Sequence, residues 1–141
     1  MAIKSLFPSE MMENAMGNAL TPELIAGKLS FFYEQLHLLH WQTTSFAEHD
    51  ALGKIYDKVG DLQDEIVEKI MGYKGTRVKA YKIDVLKDYS KGASMQVVSD
   101  LITFAKQLEE YGEANNMPDI ENVAQSLSGE AAQTKYRLTL S

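Results

Sequence analysis

Three histidines are the whole imidazole complement of this 141-residue chain, and the sequence gathers them around one point: His37 and His40, then His49. Any single histidine near a helix end is more often a half-buried polar group satisfied by hydrogen bonds than a ligand, so the signal lies in the clustering. Further on, Asp57, Asp61, Asp64 and Glu68 recur at steps of four, three and four, which sets a strip of carboxylates along one helical face. Like charges so placed repel one another, which describes either a solvated acidic face or a face that a cation neutralises. Imidazole nitrogen and carboxylate oxygen together suit iron, manganese or zinc, and carboxylate-rich sites in helix bundles host di-iron oxidation chemistry. Cysteine is absent, which removes thiol catalysis, disulfides, Cys-ligated zinc and iron–sulfur clusters together.

The elements that must position these residues are helices. Thr21, Pro22 and Glu23 supply a cap, a first-turn proline and a dipole-favoured acid. From there Ile25, Leu29, Phe32, Leu36 and Leu39 form one apolar stripe on a helix running to about Trp41. A second helix opens near Glu48, with Leu52, Ile55, Val59, Leu62, Ile66, Ile70 and Tyr73 in the same stepping, and packs on the first as an antiparallel hairpin. Lys74 to Ala93 breaks the pattern, with Gly75 and Gly92 near its ends. A third helix from about Ser94 carries Val97, Val98, Leu101, Phe104, Ala105, Leu108 and Tyr111. A fourth, from about Asn116, Pro118 and Asp119, carries Ile120, Val123, Leu127 and Ala131. Short connections flanking one long middle connection predict an all-α, ferritin-like four-helix bundle with one long crossover between helices two and three, which then run parallel. The bundle spans residues 21–141, preceded by a weakly amphipathic arm, residues 1–20.

Helix length constrains the chemistry. His49 and Asp64 lie on one helix about 22 Å apart at 1.5 Å per residue, and His40 sits at the same far end as His49. A single chain therefore cannot bring the histidines to Asp64 and Glu68, but two hairpins packed antiparallel about a twofold axis can, giving two equivalent shared sites. The intrachain di-iron pattern needs a Glu-x-x-His on each of two helices, and only Glu34 with His37 forms one.

Composition bounds the partners. With 45% apolar and 24% charged residues the chain is an ordinary globular domain, and 14 basic against 20 acidic residues give a net charge of −6. Whole-surface attraction to nucleic acid or anionic lipid is not expected. The exception is the middle connection, where Lys74, Arg77, Lys79, Lys82, Lys87 and Lys91 against Asp84 and Asp88 give +4 and leave −10 elsewhere. A salt-sensitive DNA shift lost on neutralising Lys79, Lys82 and Lys87 would mark a nucleic-acid role there; a solvated loop or subunit contact is the plainer expectation. No apolar run approaches the roughly 20 residues of a membrane helix, and the lack of cysteine fits a reducing compartment, so the cytoplasm is expected. The seven methionines and Tyr33, Tyr56 and Tyr73 are assigned to packing rather than chemistry.

The stretch LHLLHWQTTSFAEHDALGKIYDKVGDLQDEIVEKIMGYKG, residues 36–75, resembles the first helical hairpin of the Dps miniferritins, iron-oxidising shell proteins. The matching features are His40-Trp41 near the end of helix one, His49 entering helix two, and Asp64-Glu65-x-x-Glu68 later in that helix. The resemblance implies Fe(II) oxidation at a site shared across a twofold interface, with His40 and His49 from one subunit, Asp64 and Glu68 from the other and Trp41 close by. It further implies a homo-oligomeric shell, typically of twelve subunits, that stores or detoxifies iron. Zinc or manganese suits the same donors. The family has a further acid one turn after the second histidine, where this chain has Gly53, with Asp50 and Asp57 as imperfect substitutes. Loss of that ligand gives a second expectation, an oligomeric structural or binding protein on the same bundle without ferroxidase activity.

Overall fold

The structure, a computed structural model, describes residues 20–141. The arm proposed for residues 1–20 falls outside the described residues except for Leu20, which is buried. Among the described residues there are four helices and no strand: α1 Pro22–Gln42, α2 Phe46–Lys74, α3 Ala93–Ala114 and α4 Pro118–Leu138. Thr21 caps α1 by accepting from the Leu24 N–H at 3.1 Å, and Pro22, which lacks a donor, fills the first helical position. Ser45 caps α2 through the Glu48 N–H at 3.2 Å, so this helix begins two residues before the Glu48 start read from apolar stepping. Gly75 ends α2 at φ 69°, a left-handed conformation that glycine adopts without a Cβ penalty.

The four helices pack as a bundle in which α1 lies against α2 and α3, and α4 against α3 and α2. Each apolar stripe turns inward: Ile25, Leu29, Phe32, Leu36 and Leu39 from α1 meet Leu52, Ile55, Val59, Ile66 and Ile70 from α2 in one core with Val97, Leu101, Phe104, Leu108, Ile120 and Leu127. Burial of these side chains at about 25 cal/mol per Å² of apolar area is the main term holding the helices together. Tyr73, at the end of the second stripe, instead stands 47% exposed. No described helix is long and apolar enough to cross a membrane.

Residues 75–92, which join α2 to α3 without helix or strand, run as a strap along the whole of α1. The Lys79 N–H donates to the Glu23 carboxylate at 2.8 Å in the first turn of α1, and the Tyr81 hydroxyl meets Ser30 Oγ at 3.2 Å. Gln35, wholly buried, accepts from the Lys87 N–H and donates to the Lys87 carbonyl, both at 2.8 Å, so one side-chain amide replaces a strand partner. One heptad on, Gln42 takes the Tyr89 N–H at 2.7 Å and gives to Asp88 at 2.9 Å. At Gly27 a Cβ would run into the Lys82 carbonyl, so that glycine admits the strap. The strap's five cations stay at the surface, whereas Asp84 turns inward and its charge reaches buried Lys28, as does that of Asp100 on α3. Burial pulls the Lys28 ammonium down to about 8 despite both carboxylates.

Candidate metal centre

The hairpin turn is held rigidly before any ligand is considered. Thr43 Oγ1 accepts the Ser45 N–H at 3.2 Å and donates to the Glu48 carboxylate at 2.6 Å, and Tyr89 from the strap donates to the same carboxylate at 2.7 Å. Burial pushes the Glu48 carboxyl up, but the Ser94, Thr43 and Tyr89 hydroxyls facing it outweigh that and hold it below its usual value. The same hydrogen bond to Glu48 raises the Tyr89 phenol. The sequence marks Glu48 only as the opening of this helix, although Ser45-x-x-Glu48 is the spacing of a helix-capping pair.

Against this turn the histidines come together. His40 Nδ1 lies 2.7 Å from the His49 carbonyl oxygen, and His49 Nδ1 lies 2.9 Å from that of His40. The two rings stack with centroids 3.8 Å apart and planes inclined by 18°. A carbonyl oxygen only accepts, so each Nδ1 carries a proton, and Nε2 is the ring nitrogen left to act as acceptor when the imidazole is uncharged. This is the tautomer in which a metal-ligating histidine is fixed by a backbone carbonyl. The rings are half-buried, as ordinary polar residues at helix ends are, and only one nitrogen of each is satisfied by the reciprocal pair.

Glycine spacing allows this geometry. A Cβ on Gly53 would stand 3.0 Å from His40 Cε1, and one on Gly60 would stand 2.9 Å from Tyr33 Cε1. Tyr33 and His40 are one heptad apart on α1, Gly53 and Gly60 one heptad apart on α2, so each ring of one helix lies over a glycine of the other. A glycine inside a helix costs about 1 kcal/mol relative to alanine, and close ring packing is what that cost permits here. His37 belongs to a neighbouring aromatic run: it stacks on Tyr56 at 4.2 Å and meets the Trp41 ring at 3.9 Å with planes inclined by 40°, and Tyr56 meets Tyr33 at 5.5 Å.

The carboxylates lie elsewhere. Asp64 and Glu68 are exposed on the same uninterrupted α2, roughly 22 Å or more along the axis from His49. Among the described residues no three His, Asp or Glu side chains of one chain converge at metal-ligand spacing. Asp57 and Asp61 are likewise exposed, Asp50 is bound to Lys54 at 2.9 Å, and Glu65 to Lys69 at 2.8 Å. Beside Asp64 a groove of about 630 Å³ opens between α1, α2 and the strap, and Gln63 crosses its floor by donating to Ser30 Oγ at 2.6 Å. The structure thus unites the two imidazoles at one end of the hairpin and holds the two acids apart at the other.

A family model described as a family of unknown function, DUF5856, matches residues 40–138, from His40 to the last residue of α4. No curated protein and no solved structure matches the chain.

Proposed function

The chain belongs to this family, DUF5856, whose description assigns no activity, and from the residues themselves we propose a Dps-like protein that binds and oxidises Fe(II) at a site shared by two copies. In this reading the bundle is ferritin-like, the strap is its single crossover, and the assembly is at least a twofold dimer, extending to a shell of twelve, in the cytoplasm. The observation that carries it is the reciprocal His40–His49 pair, which fixes both tautomers and leaves two Nε2 lone pairs for a borderline metal. Asp64 and Glu68 of a second copy complete the donor set, because α2 is too long for their own histidines to reach them. Two Fe(II) ions each give one electron, and one hydrogen peroxide accepts both with two protons to leave two waters; dioxygen is the other oxidant suited to the site. The carboxylates then stabilise Fe(III), a harder cation than Fe(II). Zinc and manganese are the competing occupants.

Complementation tests the shared site. The pair His40→Ala/His49→Ala and the pair Asp64→Ala/Glu68→Ala should each abolish Fe(II) oxidation. Reassembling the two variants together should restore about a quarter of the wild-type sites, since half the dimers are mixed and each carries one intact site of two. Full activity in either variant, or no recovery on mixing, would reject it. A second reading, the same oligomeric bundle without oxidation in a structural or binding role, is favoured by Gly53, which supplies no acid where the resemblance calls for one and whose space the His40 ring takes. Stoichiometric iron without turnover would select that reading.

A further inference from the structure

Three exposed cations converge on one cavity at the end of the bundle where α1 begins and α2 ends. Elsewhere on α2, Lys54 and Lys69 each bind the acid one turn earlier, Asp50 and Glu65. Lys74, in the last turn, has Ile70 at that position instead. It lines a cavity of about 340 Å³ together with Arg77 and Lys79, just past the Gly75 cap, and with Pro22 and Glu23 of α1. Among the described residues neither Lys74 nor Arg77 forms an ion pair. Glu23 is the one acid among the described residues of the lining, and its carboxylate already takes the Lys79 N–H at 2.8 Å. Three positive charges against one negative leave a local excess of +2 on a chain whose net charge is −6.

We propose that this cavity binds the dianionic head of a small phosphomonoester. Charge and donor type select that class, because a phosphomonoester carries close to two negative charges at neutral pH, equal to the excess of the lining, on three acceptor oxygens. Arg77 brings a planar fork suited to two of those oxygens, Lys74 and Lys79 bring point charges, and Thr76 adds a hydroxyl donor. Val78 supplies a further donor: its N–H lies 3.4 Å from Met71 Sδ, a weak acceptor that a phosphate oxygen outcompetes. The floor differs in kind, since buried Ile70 with Met71 and Val78 offers apolar area to the organic body of the ligand. At about 340 Å³ the space is that of a head group plus about one ring. A nucleic-acid backbone fits worse, because each of its diesters carries one charge and α1, α2 and the strap wall the cavity on three sides. Helix dipoles do not decide the matter: the start of α1 and the end of α2 stand together and oppose each other, Pro22 has no N–H, and that of Leu24 is taken by Thr21. The side chains therefore carry the selectivity. The inference goes beyond the iron reading and uses none of its residues.

Calorimetric titration of the full chain with phenyl phosphate, in EDTA so that no metal bridges the two, tests the proposal. Saturable binding of about one ligand per chain is expected. Phenyl sulfate, a permanent monoanion of the same shape, should bind at least about fivefold more weakly. Lys74→Ala/Arg77→Ala should weaken phenyl phosphate at least about tenfold with unchanged helicity, whereas Lys87→Ala/Lys91→Ala, which removes the same charge from the strap outside the cavity, should change it less than about twofold. Lowering the pH from about 7.5 to about 5 should loosen binding severalfold, because the ligand gives up its second charge near pH 6. The lining keeps its own charge over that range, since lysine and arginine stay cationic and the Lys79 N–H holds the Glu23 carboxyl below the usual carboxylate range. No saturable binding, equal affinity for phenyl sulfate, or an equal loss in the two double variants overturns the proposal. So does a duplex oligonucleotide with hydroxyl ends that displaces the probe at a lower phosphate concentration than phenyl phosphate itself, which would make the strap a nucleic-acid surface instead.

Discussion

The α1–α2 and α3–α4 hairpins are of similar size and share one core, but they close their seams by different means. Between α3 and α4 the contact is made of buried aliphatic and aromatic side chains, with Gly112 letting the Met117 carbonyl and the Glu121 N–H come close at the turn. Outside the core that pair offers only surface polar contacts such as Gln125 to Glu109 at 2.7 Å. Between α1 and α2 the core side is equally apolar, but the outer seam is built from rings laid over glycines and from histidines bonded to each other's carbonyls. The second hairpin closes on packing alone, whereas the first accepts two helix glycines and half-buried imidazoles, and so fixes the orientation of both rings. Stability and site geometry should therefore respond to different substitutions.

The largest separation is expected from the core. Phe104→Ala removes a wholly buried ring from α3 and should lower stability by about 3–5 kcal/mol in urea unfolding, with the His40–His49 pair intact in the folded fraction. Next comes the strap: Gln35→Ala leaves the Lys87 N–H and carbonyl without their partner and should cost about 2 kcal/mol, with faster amide exchange at Lys87 than at any α3 position. Smaller again is a pH effect on the contact between α1, the strap and α3. Lys28 titrates near 8 in the fold against 10.5 when exposed, so the unfolded chain holds more protons between those values and the Lys28 contribution to stability rises with pH there. The slope should be at most about 1.4 kcal/mol per pH unit from pH 8 to 9.5, and Lys28→Met should flatten it. The smallest stability change is expected at Gly53→Ala, where a gain of about 1 kcal/mol in helix propensity opposes crowding of His40. Its thermal midpoint should barely move while the His40 ring resonances shift; unchanged His40 resonances would show that the glycine does not position the ring.

Much of this was legible in the chain. Thr21-Pro22-Glu23, Gly75 and the three-four stepping placed the helices to within two residues, because caps and apolar periodicity are local properties of sequence. The histidine cluster was legible for the same reason, being a matter of nearness along the chain. The strap's course was not, because nothing in residues 75–92 has a period, and its partners Glu23, Gln35 and Gln42 look like ordinary polar positions on a helix. Gln35 and Lys28 are wholly buried, which composition argues against and only partners supplied from distant segments make tolerable. Gly53 read as a missing acid, and the fold gives it a steric role of its own under His40.

By itself, then, the sequence determined four amphipathic helices, where they begin and end, and that one uninterrupted helix keeps His49 from Asp64, since all of these follow from backbone hydrogen bonding and a fixed rise per residue. Tertiary structure alone decided that each histidine would donate Nδ1 to the other's carbonyl and that the strap would lie along α1 with Asp84 inward. It also decided that two recesses would open where the strap meets α1 and α2. Those outcomes depend on which side chains meet across helices, and a tautomer or a recess exists only once the neighbours that impose it are in place.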